Sequence, residues 1–437
     1  MAAADDIITE LNEWLEKSWD PDLTVAEWWE RLGLAGWSAP GLPTNAYGKG
    51  LSRNDIVKVQ ETIAEFGALG APGGLGLLLA APTIATHGTQ EQIDLYVRDI
   101  VTGQKAWCQL FSEPGAGSDL AGLQAKAAKD GEEWTVTGQK VWTSGGQVAD
   151  LGMLIARTDA ELPKHQGITY FALDMHQPGV DVRPLREMTG HALFNEVFMT
   201  EARVSDSAVI GGLNNGWAVA NTTLMNERAG LGAGGGHAAG GLATPGTVAG
   251  DLERRAGDFV TGGGRRRRGG SSGGMFGAGY KMLLELAKAN GKINEPSIRQ
   301  DLVKLHTLNE LGRLNNVRAK AAKASGIASR DVAGGPNLAK LSMSEIVRQQ
   351  RDLGLRIIGP FGTLHAYNGE DKKALDEATG NPFLGAVTEL SLFAQAPAIY
   401  GGTDQVQRNI IGERVLGLPK EPNNDKTLAF KDLPKNS

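Results

Sequence analysis

The sequence predicts a mainly α protein with a middle β domain, and three observations carry that prediction. Residues 1–106 place apolar side chains at helical spacing, residues 107–205 form short alternating runs broken by turn signals, and helical periodicity returns from Trp217 onward. A chain of 437 residues exceeds what one ordinary core serves, so two or three domains are expected.

The first helix is carried by "DIITELNEWLEKSW", where Ile7, Ile8, Leu11, Trp14 and Leu15 fall on one stripe. Asn54 is the candidate cap of the next, which runs into Gly67. The uncharged stretch Phe66–Thr86 could cross a bilayer on length alone, but its five glycines, two prolines and small residues give little transfer energy. It reads as a buried helix pair joined by a Gly/Pro turn. "GTQEQIDLYVRDIVTG" adds a short amphipathic helix with a glycine stop. The character changes near Ala106. "DGEEWTVTGQKVWTSGG" (130–146) reads as a turn, a strand with Trp134 and Val136 on one face, a tight turn at Gly138–Gln139, and a second strand. "LGMLIAR", "GITYFALDM", "VDVRPLREM" and "EVFMTEARV" follow at short intervals, which predicts a barrel or sandwich. Beyond Trp217, "YKMLLELAKANG", "IRQDLVKLHTLNELGRLNNVRAKAAKASG" and "PNLAKLSMSEIVRQQRDLGLRIIG" are long, periodic and charged on one face, which predicts a helical bundle.

Composition narrows the partners. A net charge of -6 gives no general attraction to nucleic acid or anionic membrane, and neither is expected as a partner. The single cysteine, Cys108, rules out an internal disulfide and a Cys-built zinc site. No metal site is expected, and a reducing cytoplasm is the expected setting. The acidic N-terminus lacks the basic region of a signal peptide. Residues 230–279 hold 19 of the 60 glycines together with "GGGRRRRGGSSGG", a composition that favours a flexible surface loop. Arg265–Arg268 reads first as a solvated charge run, with contact to a phosphate-bearing ligand, an acidic patch, nucleic acid or a membrane as the alternatives.

The most informative segment is "WCQLFSEPGAGSDLAGL", residues 107–123. Pro114, Gly115 and Gly117 force a turn straight after an apolar strand, so backbone N–H groups and hydroxyls can approach a ligand closely. One Gly-rich turn is weak by itself. Its order with "GQKVWTSGG" (138–146) and "IYGGTDQVQRNIIGERVLGLPKE" (399–421) is not generic. Together these segments resemble the acyl-CoA dehydrogenase flavoprotein family. The resemblance runs from "WWERLGLAGWSAPGLPTNAYGKGLS" (28–52) to Lys420 and leaves out the Gly-rich insert and the residues after Pro422.

The resemblance implies an N-terminal helical domain (1–106), a middle β-barrel (107–205), a C-terminal four-helix bundle (206–422, with the insert 230–279) and a tail (423–437). It implies FAD extended between barrel and bundle. Gln109, Phe111 and Ser112 would then meet the isoalloxazine ring, Ser118 would touch flavin and substrate, Trp142 would shield the ring, and Ser144 would bond its edge. Thr403 and Gln405 would face FAD from a helix start, where free N–H groups collect. "LRIIGPFGTL" (355–364) resembles the family's Gln-x-x-Gly-Gly-x-Gly element. Gly359 is kept, while Arg356 replaces the Gln and Pro360 the second Gly. An Arg can pair with a pyrophosphate more strongly than Gln does. Arg299 and Gln300 match an "RQ" pair seen in relatives. The implied partners are an acyl-CoA substrate, an electron-transfer flavoprotein, and further copies of the chain in a dimer or tetramer.

Dehydrogenation α,β to a thioester needs a base for a weakly acidic C–H and a hydride acceptor beside the β carbon. In much of the family the base is a Glu after the Tyr of "IY-x-G-T", but here that position is Gly401. A minority place the Glu on an earlier bundle helix, immediately before an Arg, and Glu227 in "MNERAGLG" stands there. Glu227 is therefore the expected base, with its pKa raised by burial beside the acyl chain. Gly401 is expected to polarise the thioester carbonyl through its N–H. Arg228 is expected to orient the bundle or the polar end of the substrate. Leu75–Leu79 and Leu231 are candidates for the acyl cavity. A structural ion pair with Arg228 is the plain alternative for Glu227, although adjacent helix residues do not face each other. Two other functions stay open. One is an assisting subunit of a hetero-oligomer, favoured by Gly401, Arg356 and Pro360; the other is a flavin monooxygenase or oxidase on the same fold.

Overall fold

The computed structural model describes residues 2–232, 243–260, 274–325 and 335–434. Helices α1 (Ala2–Ser18), α2 (Val25–Leu34) and α3 (Arg53–Phe66) open the chain. A capping box starts α2. The Thr24 hydroxyl accepts the Glu27 N–H at 3.2 Å, and the Glu27 carboxylate accepts the Thr24 N–H at 2.9 Å. Ser52, not Asn54, caps α3, because it stands three residues before the free N–H of Asp55. Trp28 and Trp29 are fully buried and donate their indole N–H groups to the carbonyls of Leu69 and Gly70 at 2.6 and 2.9 Å. Those bonds hold down the Gly/Pro segment after α3. One π-helical turn, Gly76–Ala80, then enters α4 (Ala81–His87). Short helices α5 (Gln90–Gln92) and α6 (Arg98–Val101) complete the domain.

Eight strands follow: β1 (Trp107–Leu110), β2 (Lys126–Asp130), β3 (Glu133–Ser144), β4 (Leu151–Arg157), β5 (Ile168–Asp174), β6 (Val180–Leu185), β7 (Phe194–Ser205) and β8 (Val209–Ile210). Their order is β6-β7-β3-β2-β4-β5-β8, and β1 pairs with β4 in parallel. Nearly every residue of β4 and β5 is buried, as expected of strands covered on both faces. The tight turn expected at Gly138–Gln139 does not occur. β3 continues through it with a register slip, because a Cβ at Gly138 would lie 2.5 Å from the Ala125 Cβ and the strand bulges there instead.

The bundle comprises α7 (Gly216–Gly232), α8 (Gly274–Ala289), α9 (Pro296–Ala324), α10 (Gly335–Ile358), α11 (Gly369–Thr379), α12 (Leu384–Phe393) and α13 (Asp404–Ile410). Leu283, Leu286, Leu302, Leu305, Leu353, Ile357 and Val387 form its core. The barrel loop before β7 docks on it, with His191 Nε2 2.9 Å from the Glu389 carboxylate, which Lys372 also holds. Among the described residues no helix is long and apolar enough to cross a membrane.

Part of the Gly-rich insert departs from the expected flexible loop. Residues 243–260 form a strap across the N-terminal domain, where the carbonyls of Leu252 and Arg254 accept the N–H groups of Ala26 and Val25 at 2.9 and 2.8 Å. Ala243, Leu252 and Ala256 are buried with Trp28 and Trp29. The buried Asp150 carboxylate accepts the N–H groups of Ala106 and Thr247 at 2.8 and 3.1 Å, tying strap to barrel. Glycine content alone hid these few apolar anchors. Arg265–Arg268 lies outside the described residues.

Candidate active site

β1 and α7 bring the two most informative motifs together. Gln109 and Glu227 are 118 residues apart in sequence, yet Gln109 Nε2 donates to Glu227 Oε2 at 3.5 Å. The contact follows from how α7 is pinned. Its buried Thr223 hydroxyl lies 3.0 Å from that of Thr83 on α4 and 3.3 Å from the Tyr170 hydroxyl on β5. Its Thr222 bonds His87 Nε2 at 2.8 Å. Glu227 stands four residues after Thr223, so it lies on the same helix face, toward the sheet. Phe111, two residues beyond Gln109, meets the Tyr170 ring edge-on at 6.0 Å on that side of the sheet.

The turn after β1 is built on a buried ion pair. Glu113 and Ala116 exchange backbone hydrogen bonds at 3.0 and 3.1 Å. The Glu113 carboxylate accepts the N–H groups of Gln124 and Ala125 at 2.6 and 2.9 Å and the ammonium of Lys140 at 2.8 Å. Lys140 is fully buried and also donates to the Phe111 carbonyl at 3.0 Å. Burial pushes the Lys140 pKa below the usual lysine value, against the pull of Glu113. One carboxylate thus closes both ends of the turn that bears Ser112 and the exposed Ser118. Sequence reasoning missed this pair. Its signal was a charged Lys140 in phase with the inward-facing Trp134 and Val136.

Trp142 sits at a second register slip in β3 with φ 62°, and 60% of its surface is exposed. A bulky side chain in left-handed backbone, held open to solvent, is a strained arrangement of the kind that clusters at active sites. Phe194 braces its ring edge at 5.9 Å, and the half-buried Ser144 pairs with Phe194 at the end of the same strand.

In the bundle, Gly401 and Gly402 both have positive φ, 62° and 82°. Gln407 Nε2 donates to the Gly401 carbonyl at 3.1 Å. Thr403 caps α13 by accepting the Val406 N–H at 3.2 Å, and Gln405 is exposed on its first turn. Asp404, beside them, is buried and paired with Arg348 at 3.0 Å and Lys340 at 3.5 Å. Burial works against its charge. The hydrogen bonds from Ser344 and Arg348 outweigh that and hold the pKa below the usual range. Arg356, in the last turn of α10, pairs with Asp301 and donates to the Ser297 hydroxyl at 3.1 Å. It is therefore engaged within the bundle and not joined to the Gln109–Glu227 pair. Gly359 follows with φ 57° and open space around it. Arg299 and Gln300 are exposed in the first turn of α9, beside Asp301. The side chains of Arg228 and Leu231 lie outside the described residues. An open cavity of about 920 Å³ lined by His87, Trp134 and Leu213 lies beside the start of α7. Glu227 is not among the residues that line that cavity. Among the described residues no cluster of His, Cys, Asp and Glu could hold a metal ion.

Three family models match in chain order: acyl-CoA dehydrogenase N-terminal domain over residues 2–104, middle domain over 108–202 and C-terminal domain over 263–416. The acyl-CoA dehydrogenase IpdE1 of Mycobacterium tuberculosis is 32% identical over 394 residues, covering 90% of this chain and 88% of that protein. The chain belongs to the acyl-CoA dehydrogenase family. A stronger local likeness, 48% over 198 residues, is to the acyl-CoA dehydrogenase FadE34 of M. tuberculosis, and spans 45% of this chain and 27% of that protein. Among solved structures, the ChsE4-ChsE5 complex from M. tuberculosis has TM-score 0.64 at 24% identity, covering 96% of this chain and 99% of that one. An acyl-CoA dehydrogenase from Geobacillus kaustophilus has TM-score 0.60 at 20% identity, with 92% of each chain covered. At those identities the likeness is one of fold, and it agrees with the observed order of helices, β domain and bundle.

This acyl-CoA dehydrogenase family member is thus an oxidoreductase acting on acyl-CoA, with FAD as its cofactor. The residues fit such a group. An exposed, strained Trp142 offers a flat apolar face, and a capped helix start follows two glycines in left-handed backbone.

Proposed function

We propose that the chain catalyses α,β-dehydrogenation of an acyl-CoA thioester to the trans-2-enoyl-CoA, with Glu227 as the base. The observation that carries the reading is the contact between Glu227 on α7 and Gln109 on β1. It sets a carboxylate against the strand that leads into the Ser112–Ser118 turn, while the usual base position is Gly401. The Glu227 carboxylate removes the proton from the α carbon, and the electron pair of that C–H bond becomes the new C=C bond. The Gly401 N–H hydrogen-bonds the thioester carbonyl as charge develops on it. FAD, when bound, supplies the acceptor for the β hydride. Gln109, Phe111, Ser112, Ser118, Trp142 and Ser144 would hold the ring from the barrel side, and Thr403 and Gln405 from the bundle. Arg356, Gly359 and the neighbouring Arg299 and Gln300 would serve the FAD of an adjoining copy, with Arg356 exchanging Asp301 for a phosphate. Arg228 would meet the polar end of the substrate. The reading includes electron transfer to an electron-transfer flavoprotein, a homo-oligomer built through the bundle, and a cytoplasmic setting.

The test is an anaerobic titration of the purified flavoprotein with acyl-CoA thioesters of straight-chain, branched, aromatic and steroid type. Bleaching of the oxidised flavin band by any of them supports the reading and ranks substrates. A flavin that none of them bleaches refutes it. A second reading, an assisting subunit of a hetero-oligomer, draws on Gly401 at the usual base position and on the same fold in the ChsE4-ChsE5 complex. Purification without FAD, with binding restored by a partner chain, would favour it.

A further inference from the structure

The segment that follows the bundle lies outside the motifs on which the family resemblance rests, yet it packs against the barrel beside the Ser112–Ser118 turn. Phe430 and Lys431 donate their N–H groups to the carbonyls of Leu162 and Ala160 at 2.9 and 3.0 Å. The Phe430 ring is buried and lies 3.6 Å from the guanidinium of Arg157. Asp425 pairs with Lys164 at 2.6 Å, and the same ammonium holds Asp119 at 2.8 Å. Asp119 is the residue after Ser118.

Arg157 and Lys164 are the parts through which this segment reaches the turn. Arg157, at the end of β4, is 5% exposed. Its guanidinium donates to the carbonyls of Lys164 and Ala121 at 2.5 and 2.6 Å, and its backbone N–H donates to the Ala125 carbonyl at 2.7 Å. The far limb of the turn, Asp119 to Ala125, therefore rests on two cations. Both cations are covered from outside by residues 425–430. The next residue after Lys164, His165, meets the Trp217 ring edge-on at 4.9 Å at the start of α7, the helix that carries Glu227.

We propose that residues 422–434 act as a latch that positions the Ser118–Asp119 end of the turn, with Lys164 and Arg157 as the positioning residues. At the exposed end of the turn a Cβ at Gly117 would meet nothing within 4 Å. Glu113 closes the turn at Gln124 and Ala125, which leaves the exposed Ser118–Asp119 end to be held by Lys164 on Asp119 and Arg157 on the Ala121 carbonyl. A turn ordered beforehand costs less to engage on binding. The latch therefore lowers the substrate concentration needed for half-reaction and leaves the chemical step alone. That effect on substrate rests on the dehydrogenase reading above, whereas the ordering of the turn does not.

The experiment compares the full flavoprotein with Asp425→Asn, Asp425→Glu and Phe430→Ala. Amide hydrogen exchange is read over residues 113–125 and, as a control, over α1–α3 and β7. The expected result is exchange about tenfold faster in the turn for Asp425→Asn and Phe430→Ala, with the control segments unchanged and Asp425→Glu close to the parent. The half-bleaching concentration of whichever thioester bleaches the parent flavin should rise about three- to tenfold, with the limiting rate retained. Unchanged exchange in the turn overturns the latch. Acceleration everywhere overturns it too, since that marks a general loss of stability. If no thioester bleaches the parent flavin, the dehydrogenase reading falls, and the exchange measurement alone decides the latch.

Discussion

At the scale of single residues, Glu227 and Lys140 do opposite things with a charge removed from bulk water. Glu227 is half-buried against Gln109, and in the proposed reaction its carboxylate is used. Glu227→Gln keeps the shape and removes the base. The limiting rate of flavin bleaching should fall by about 10²–10⁴ while the bound-flavin spectrum is retained; turnover near the parent rate would reject the assignment. Lys140 is spent on structure, since its ammonium is enclosed by Glu113 and the Phe111 carbonyl. Lys140→Met leaves a buried carboxylate without its cation, and denaturant unfolding should show a loss of about 3–5 kcal/mol. The sole cysteine plays neither part. Burial pushes the Cys108 thiol up to about 12, so a thiol reagent should modify it only at the rate of unfolding, as a time course with and without denaturant would show.

At the scale of elements, α7 matters most, because its seating decides where Glu227 lies. Thr83, Thr223 and Tyr170 form a buried hydroxyl cluster joining α4, α7 and β5. Thr223→Val removes the shared member and leaves two buried hydroxyls without it. The expected cost is about 1–3 kcal/mol in denaturant unfolding, together with a slower bleaching rate as Glu227 loses its register. The helices and strands around this cluster were legible in sequence because each carries its own periodicity, as in "IRQDLVKLHTLNELG" or "LGMLIAR". The Gln109–Glu227 contact was legible only as two separate motifs, since nothing local states that β1 will face α7. The hydroxyl cluster was not legible at all, because three polar residues in apolar runs read as interruptions. Gly138 misled for a related reason. A glycine that permits a turn also permits a neighbour to approach, and only the position of Ala125 tells the two apart.

At the scale of the whole molecule, the barrel is joined to the bundle through Glu389, which His191 and Lys372 hold. Burial works against the Glu389 charge, but the hydrogen bonds from Lys372 and His191 prevail and lower its pKa. A lowered folded pKa adds stability above the unfolded value of about 4.3, and that stability is lost as pH falls through the folded value. Glu389→Gln should therefore be less stable than the parent near neutrality, and the difference should shrink in acid. Unfolding curves of both proteins across that range would show it, and a constant gap would rule it out.

The strap of residues 243–260 bears on how the chain comes to be folded at all. Trp28 and Trp29 emerge early in synthesis, but the Leu252 and Ala256 side chains that finish their cluster emerge more than two hundred residues later. The N-terminal helices cannot complete their core vectorially, and they wait, partly open, while the whole barrel is made. A ribosome-bound chain stopped just before the strap should remain sensitive to protease within α2 and α3, and one stopped well beyond it should not. A glycine-rich stretch that composition marks as a flexible surface loop is then the piece whose arrival closes the first domain.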